Sequence, residues 1–168
     1  MSIREVERHD FVDEVHAFWH DRGWHLAADG RALVMELFRA DKILDARVAE
    51  VLTPLELSFA RYEVLMVLMF SASSASRMCR LAELLQVHAT SMTNSICRLE
   101  DDGLVTRRAD PADGRSTVIA LTTRGRELAK TATRELNSRV FACVGLERRG
   151  VEELWLTLRE FRHVSGDF

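Results

Sequence analysis

The sequence has little that would mark a secreted or membrane-bound protein. No stretch approaches the roughly 18 consecutive apolar residues of a membrane span. The N-terminal MSIREVERHDFVDEV is charged where a secretory signal would be apolar. The three cysteines (Cys79, Cys97 and Cys143) are odd in number, widely spaced and without a CxxC pair, which is typical of reduced thiols. These absences predict a cytoplasmic protein with no membrane partner.

Signatures of catalysis and an excess of one charge are also missing. We find no nucleophile–base pair, P-loop or dinucleotide fingerprint, so we expect neither an enzyme nor a bound cofactor. The formal net charge of −3 over 168 residues is not that of an evident nucleic-acid binder. With 47% hydrophobic residues, the chain is able to bury one core, or a small domain plus an oligomerisation layer.

What the sequence does contain is apolar residues at helical spacing along most of its length. Small polar residues precede several of these segments as expected caps, and glycines are expected to end or separate helices. The stretch SASSAS predicts a loop. The expected helices cover residues 5–21, a segment from an Asp29 cap to just before Thr53-Pro54, one after Ser58, 78–85, 89–102 ended by Gly103, a long one after Thr122 or Thr123, and a last one after Gly150.

Residues 110–122, DPADGRSTVIALT, interrupt the helical pattern. The proline turn runs into a β-branched segment that predicts a strand, and residues 104–108 are its expected partner in a hairpin. Two helices joined by a short turn and followed by a hairpin are the order of a winged helix-turn-helix, whose second helix can enter a DNA major groove. The sequence therefore predicts a mainly α protein with a winged helix-turn-helix and a two-stranded β wing.

Residues 81–125 resemble the winged helix of the multiple antibiotic resistance regulator (MarR) family, and a looser agreement extends over residues 29–164. Three positions, Gln86, His88 and Gly114, depart from the family's pattern. The matching residues are Leu99, Glu100, Gly103-Leu104-Val105, Arg108, Asp110-Pro111, Asp113, Arg115, Leu121-Thr122 and Gly125.

The resemblance implies a homodimeric transcriptional regulator that binds a palindromic operator in double-stranded DNA, as a repressor released by a small aromatic or anionic effector. It places the winged helix at residues 57–122, the dimerisation helices at 29–56 and 123–168, and an added helix at 1–28. About half of the apolar interface candidates are expected to belong to the core instead. These candidates are Leu33, Leu37, Leu136, Val140, Leu154, Trp155 and Leu158.

The expected DNA contacts lie on the second helix of the pair and on the wing. Short hydroxyls and an amide occupy one helix face, and such side chains can hydrogen-bond to phosphates and base edges. Arg98 either contacts DNA or pairs with Glu100–Asp102, while Asp113 is expected to orient Arg115 for the minor groove. The full set is Thr90, Ser91, Thr93, Asn94, Arg98, Arg108, Asp113 and Arg115.

The family resemblance also implies an effector site between the dimerisation helices and the winged helix. Trp19 resembles the tryptophan on an extra N-terminal helix of urate-responsive members. Glu63 stands where those members have an aspartate, but Ser95 stands where they have an arginine. Either Arg61 or Arg39 is a candidate for binding a carboxylate. The expected lining is Trp19, Phe38, Phe59, Tyr62, Glu63 and Met66.

Other functions stay open at this point. Between residues 77 and 115 six arginines face six acids, a neutral balance that suits a degenerate winged helix acting as a protein-interaction module. A dimer would answer this objection by doubling the phosphate contacts. His16 and His20, at i and i+4, are compatible with a metal-sensing regulator, although we expect no metal site. A cysteine-based redox sensor of the same fold is a further alternative.

Overall fold

The computed structural model describes residues 10–110 and 113–167, apart from the side chains of residues 113–115. Within this part of the chain the protein is mainly helical with one small antiparallel sheet, as the sequence predicts. Short 3-10 turns follow the second and sixth helices. The helices are α1 (Phe11–His20), α2 (His25–Leu52), α3 (Phe59–Phe70), α4 (Met78–Leu84), α5 (Ala89–Asp101), α6 (Thr123–Arg139) and α7 (Arg148–Val164), and the strands are β1 (Ala75–Arg77), β2 (Val105–Asp110) and β3 (Asp113–Leu121).

The chain forms two compact units, Met1–Arg47 and Val48–Phe168, with the boundary inside α2. In the first unit, α2 begins at His25, so the expected start after an Asp29 cap is wrong. Gly23 turns the chain with a φ of +78°, and the helix begins two residues later. Asp29 instead lies inside α2, where its carboxylate is 2.8 Å from Nε2 of His16.

The core of the second unit joins the end of α2 to α3–α6 and the sheet. The predicted helix after Ser58 is α3, and Ser58 caps it, since its hydroxyl accepts a hydrogen bond from the Arg61 amide. Apolar residues at helical spacing on α3 and α5 meet β-branched residues of the sheet, and each fully buried side chain contributes about 1.5–3 kcal/mol. The largest fully buried side chains are Leu52, Val64, Leu65, Leu68, Leu81, Met92, Ile96, Leu99, Val105, Ile119, Leu136 and Val140.

The sheet has three strands in the order β1-β3-β2, so the expectation of a loop throughout SASSAS is wrong. Ala75 pairs with Ala120 and Ser76 with Ile119, so this short polar segment covers the outer edge of β3. The predicted hairpin of β2 and β3 is confirmed, with Arg108 opposite Val118. A lone hairpin is only marginally stable. Strand β1 pairs with β3 and leads directly into α4, so it stabilises the wing against the rest of the unit.

The joint between the hairpin and α6 is closely packed. Thr122 caps α6 as predicted, and its Oγ1 accepts a hydrogen bond of 2.9 Å from the Gly125 amide. The same hydroxyl donates toward the Leu104 carbonyl oxygen at 3.0 Å. A Cβ added at Gly125 would lie 2.1 Å from that carbonyl oxygen, so only glycine allows α6 to approach β2 this closely.

In the last helices, some of the interface candidates belong to the core, as expected for about half of them, and one expected helix boundary is wrong. Leu136 and Val140, expected as interface candidates, are buried in the core of the second unit, because α6 turns their face toward α3. Gly150 does not separate two helices but lies in the first turn of α7. By contrast, α7 has no buried residue, and Leu154 and Trp155 are 46% and 60% exposed.

Candidate nucleic-acid interface and adjoining cavity

Helix α5 is anchored by one face and leaves the other open. Met92, Ile96 and Leu99, spaced by four and three residues, are all buried in the core. At its start, the His88 ring takes the place of the usual hydroxyl cap, with Nδ1 accepting from the Thr90 amide at 3.3 Å. Gly103 ends the segment with a φ of +68°. The helix is therefore held rigidly while its outer face is available for binding.

Three of the predicted contact residues form a line along this outer face. Thr90, Asn94 and Arg98 follow one another at intervals of four residues, and all three are exposed. Within the described part of the chain, none of their side chains makes a hydrogen bond or an ion pair, so the pairing of Arg98 with Glu100–Asp102 does not occur there. Their donors and acceptors are free for base edges and phosphates.

The other two predicted residues of α5 have different surroundings. The Thr93 hydroxyl donates a 2.9 Å hydrogen bond to the Ala89 carbonyl, which satisfies it within the helix. Ser91 lies with Ser95 on a side of α5 that lines a cavity. The structure therefore brings Thr90, Asn94 and Arg98 together and sets these two residues apart from them.

The two neighbouring arginines of the wing differ, because within the described part of the chain Arg107 forms an ion pair and Arg108 does not. Arg108 is exposed on β2, whereas Arg107 places its Nε 2.9 Å from Oε2 of Glu100. The side chains of Asp113 and Arg115, predicted to act at the wing tip, lie outside the described residues. Their contact with each other and with DNA remains a prediction.

The sequence did not predict an ion pair at the turn end of strand β2. Asp110 is 7% exposed, and its Oδ2 lies 2.6 Å from Nε of Arg77 on β1. The charge-assisted bond ties the last residue of β2 to the strand across the sheet. The only available signal was that Asp110 precedes a proline, which also describes an ordinary turn, and Arg77 stands 33 residues earlier in the chain.

A cavity of about 270 Å³ lies between α3 and α5. Among the described residues that line it, Glu63 is the one ionisable side chain, and burial raises the pKa of this carboxyl above its ordinary value of 4.5. The rest of the lining is apolar or carries a small hydroxyl. The lining residues are Phe59, Ala60, Glu63, Val64, Leu85, Val87, Ser91, Met92 and Ser95.

Only two of the six residues expected to bind an effector line this cavity, namely Phe59 and Glu63. Tyr62 is 3% exposed and directs its hydroxyl to Oγ1 of Thr133 on α6, at 3.1 Å. Met66 contacts the same Thr133 hydroxyl through its sulfur. Tyr62 and Met66 therefore connect α3 to α6 within the core of the second unit.

Trp19 and Phe38 belong to the first unit. Trp19 packs edge-on against Trp24, with ring centroids 5.8 Å apart, and the Arg31 guanidinium lies over its ring. Phe38 is 66% exposed on α2. The predicted grouping of these two aromatic residues with Phe59 and Glu63 remains a prediction.

Both arginines expected to bind a carboxylate already have partners within the protein. Arg61 forms a 2.9 Å ion pair with Asp102 and also donates to the Glu56 carbonyl. Arg39 lies 3.9 Å from Asp10 within the first unit. The basic side chains that the sequence offered for an anionic effector therefore already have acidic partners.

The metal alternative gains no support from the described residues, and the redox alternative stays a hypothesis. No group of three His, Cys, Asp or Glu side chains among them could hold a metal ion, and His16 is bonded to Asp29. None of the three cysteines, all within the described chain, forms a disulfide. Across the same residues, no helix has the length and apolar character needed to cross a membrane.

A helix pair, a three-stranded wing and a second helix with an open polar face define a DNA-binding protein of the winged helix-turn-helix class. Comparisons with known proteins identify the family within this class. The MarR family model matches residues 74–117. The HTH-type transcriptional repressor Rv2887 of Mycobacterium tuberculosis is 36% identical over 118 residues, which is 68% of this chain and 84% of that protein.

Solved structures agree. Sco5413, a MarR family transcriptional regulator from Streptomyces coelicolor, has a TM-score of 0.77 and 38% identity, over 83% of this chain and 97% of its own. Sco3205 from the same organism, solved in complex with DNA, has a TM-score of 0.70 over 80% and 86% of the two chains. At 22% identity it supports the fold alone. The chain belongs to the MarR family of transcriptional regulators, and its relatives are regulators rather than enzymes.

Proposed function

We propose that the protein is a homodimeric repressor that binds a palindromic operator and releases it when a small molecule occupies the cavity beside α5. One observation carries this proposal. The same helix offers Thr90, Asn94 and Arg98 on its open face and lines a cavity with Ser91 and Ser95 on another. A ligand in the cavity therefore contacts the helix that binds DNA, without occupying the DNA surface itself.

The exposed apolar face of α7 supports the homodimer. Val151, Leu154 and Trp155 follow helical spacing and are all at least 40% exposed, while half-buried Leu158 continues the same stripe. A monomer would leave this contiguous patch in water, where such patches mark association sites. In a dimer, two copies of α5 can occupy half-sites one helical turn apart, roughly 34 Å.

A dimer also explains how a winged helix with no net positive charge can bind DNA. A single winged helix with balanced charge gains little from phosphate neutralisation, whereas two copies double the number of free arginines at the DNA. Arg98 and Arg108 are the described arginines that this arrangement would use. The relatives' designation as transcriptional repressors supports repression. We place the protein in the cytoplasm, where the bacterial relatives' target DNA would be.

Footprinting of the purified protein on the DNA upstream of its own gene tests the proposal. We expect two protected segments related by a dyad and separated by one helical turn. Protection should weaken steeply as salt rises, because phosphate contacts release counterions. Uniform, sequence-independent binding would contradict an operator-specific repressor. Absence of any salt-dependent binding would favour the protein-interaction module instead.

A further inference from the structure

The cavity beside α5 is acidic, although the family resemblance leads to the expectation of an anionic ligand. In the part of the chain that the structure describes, its nine lining residues include one carboxylate, Glu63, and no lysine, arginine or histidine. The two serines can donate or accept hydrogen bonds, but they cannot neutralise a negative charge. An anion entering this cavity would therefore meet a like charge in partly desolvated surroundings, which is unfavourable.

Glu63 itself lacks a partner within the described chain. Its side chain makes no hydrogen bond or ion pair there, and it is half-buried. Burial raises the pKa of the carboxyl, because withdrawal from water disfavours the charged form. A partly buried carboxylate with no counter-charge gains interaction energy from any positively charged group brought within hydrogen-bonding distance.

Phe59 adds a second element suited to a cation. It precedes Glu63 by four residues on α3, so the two side chains are neighbours on the same helix face. The ring is 40% exposed and lines the cavity. A cation held over an aromatic face is attracted by the ring quadrupole, which a carboxylate ligand would not be.

The nearest basic residue on α3 does not reverse this charge pattern. Arg61 directs its guanidinium to Asp102 and to the Glu56 carbonyl, and it is not among the lining residues. Met92 and Leu85 supply apolar surface for the body of a ligand. The cavity therefore combines an acidic group, an aromatic face and an apolar wall.

We propose that the effector accepted by this cavity is a small organic cation. Its apolar or aromatic body packs between α3 and α5, and its ammonium group pairs with Glu63 against the face of Phe59. This inference rests on the proposed function, because it names the ligand class of the same site. Ser91, Met92 and Ser95 belong to α5, so the bound cation contacts the DNA-binding helix directly.

Three probes of matched shape test the ligand class: 1-naphthylmethylamine, 1-naphthalenemethanol and 1-naphthoate. Their binding to the full chain is measured by calorimetry for wild type, Glu63→Gln and the control Glu127→Gln, whose carboxylate is exposed on α6 outside this cavity. We expect the amine to bind tightest and the carboxylate weakest. Glu63→Gln should weaken the amine at least about tenfold, the equivalent of one charge-assisted hydrogen bond, and Glu127→Gln should not.

Tighter binding of naphthoate, equal binding of all three probes, or no binding of the amine would overturn the proposal. So would an amine affinity that falls equally in both variants. DNA release by the amine is measured separately on the footprinted duplex. Amine binding that depends on Glu63 but leaves the DNA complex intact would support the ligand class while contradicting effector-controlled release, so the two hypotheses fail independently.

Discussion

Two glycine-to-alanine substitutions should have opposite effects on stability. At Gly125, the added Cβ would lie 2.1 Å from the Leu104 carbonyl oxygen, about 1.3 Å short of the 3.4 Å at which ordinary contact begins. The obstacle is backbone, which cannot rotate away as a side chain would. At Gly150, in the first turn of α7, the nearest atom is the Leu146 Cβ at 3.7 Å, an ordinary contact.

The magnitudes follow from these distances. Overpacking typically costs about 1–3 kcal/mol, and a backbone obstacle places Gly125→Ala at or above the upper end of that range. The gain in helix propensity from alanine offsets about 1 kcal/mol of this. We therefore expect Gly125→Ala to lower the free energy of unfolding by about 2 kcal/mol or more. Gly150→Ala should raise it by roughly 0.5–1 kcal/mol, because only the unfolded chain loses freedom.

Urea unfolding followed by circular dichroism, at one fixed protein concentration, measures both changes. The expected order of midpoints is Gly125→Ala below wild type and wild type below Gly150→Ala. A Gly125→Ala protein as stable as wild type would refute the close approach of α6 to β2 on which the wing's placement depends. A strongly destabilised Gly150→Ala protein would refute the position of Gly150 inside α7.

Three further predictions concern single residues. Asn94→Ala should relax base preference at one position in each half-site, at a cost of about 1–3 kcal/mol in the free energy of binding. A panel of operator variants measures this. Equal weakening of binding to every variant would make Asn94 a phosphate contact only. Tyr62→Phe should lower the free energy of unfolding by about 1 kcal/mol, because the hydrogen bond to Thr133 is lost. The affinity for the amine should not change. An altered amine affinity would mean that Tyr62 reaches the cavity. Because the pKa of Glu63 is raised in the folded state, the stability gained from the protonated carboxyl is present below the ordinary pKa of 4.5 and is lost as the pH rises through the raised pKa. Glu63→Gln should therefore be more stable than wild type at pH 7. This difference in stability should vanish below the ordinary pKa of 4.5. Melting temperatures across pH 4–8 check this, and a difference that grows toward low pH would contradict the sign.

Local signals predicted most of the helical framework. Ser58 and Thr122 are caps because a hydroxyl before an apolar run satisfies a free amide, which requires no knowledge of the fold. The hairpin followed from β-branched residues after a proline turn. The polar face of α5 could also be predicted from the sequence, since a solvated helix favours Glu, Lys and Arg, whereas this face carries short hydroxyls and an amide.

Features that depend on distant residues could not be predicted in this way. Ala75–Arg77 is a strand only because the edge of β3 is available to pair with it, and nothing in its own sequence favours extension. Leu136 has the same helical spacing as an interface residue, and only packing against α3 decides that it belongs to the core. The bond of Tyr62 to Thr133 spans 71 residues, so sequence alone could not separate core from cavity on α3.

The central claim is that the open face of α5 distinguishes operator from other DNA. Fluorescence anisotropy with the footprinted duplex and a scrambled duplex, at several salt concentrations, tests it in wild type and in a Thr90→Ala, Asn94→Ala, Arg98→Ala triple variant. We expect wild type to prefer the operator by about 10³-fold or more. The triple variant should lose nearly all of this preference at an unchanged melting temperature, while retaining salt-dependent binding to both duplexes through the wing. A triple variant that still prefers the operator as strongly as wild type would contradict the account.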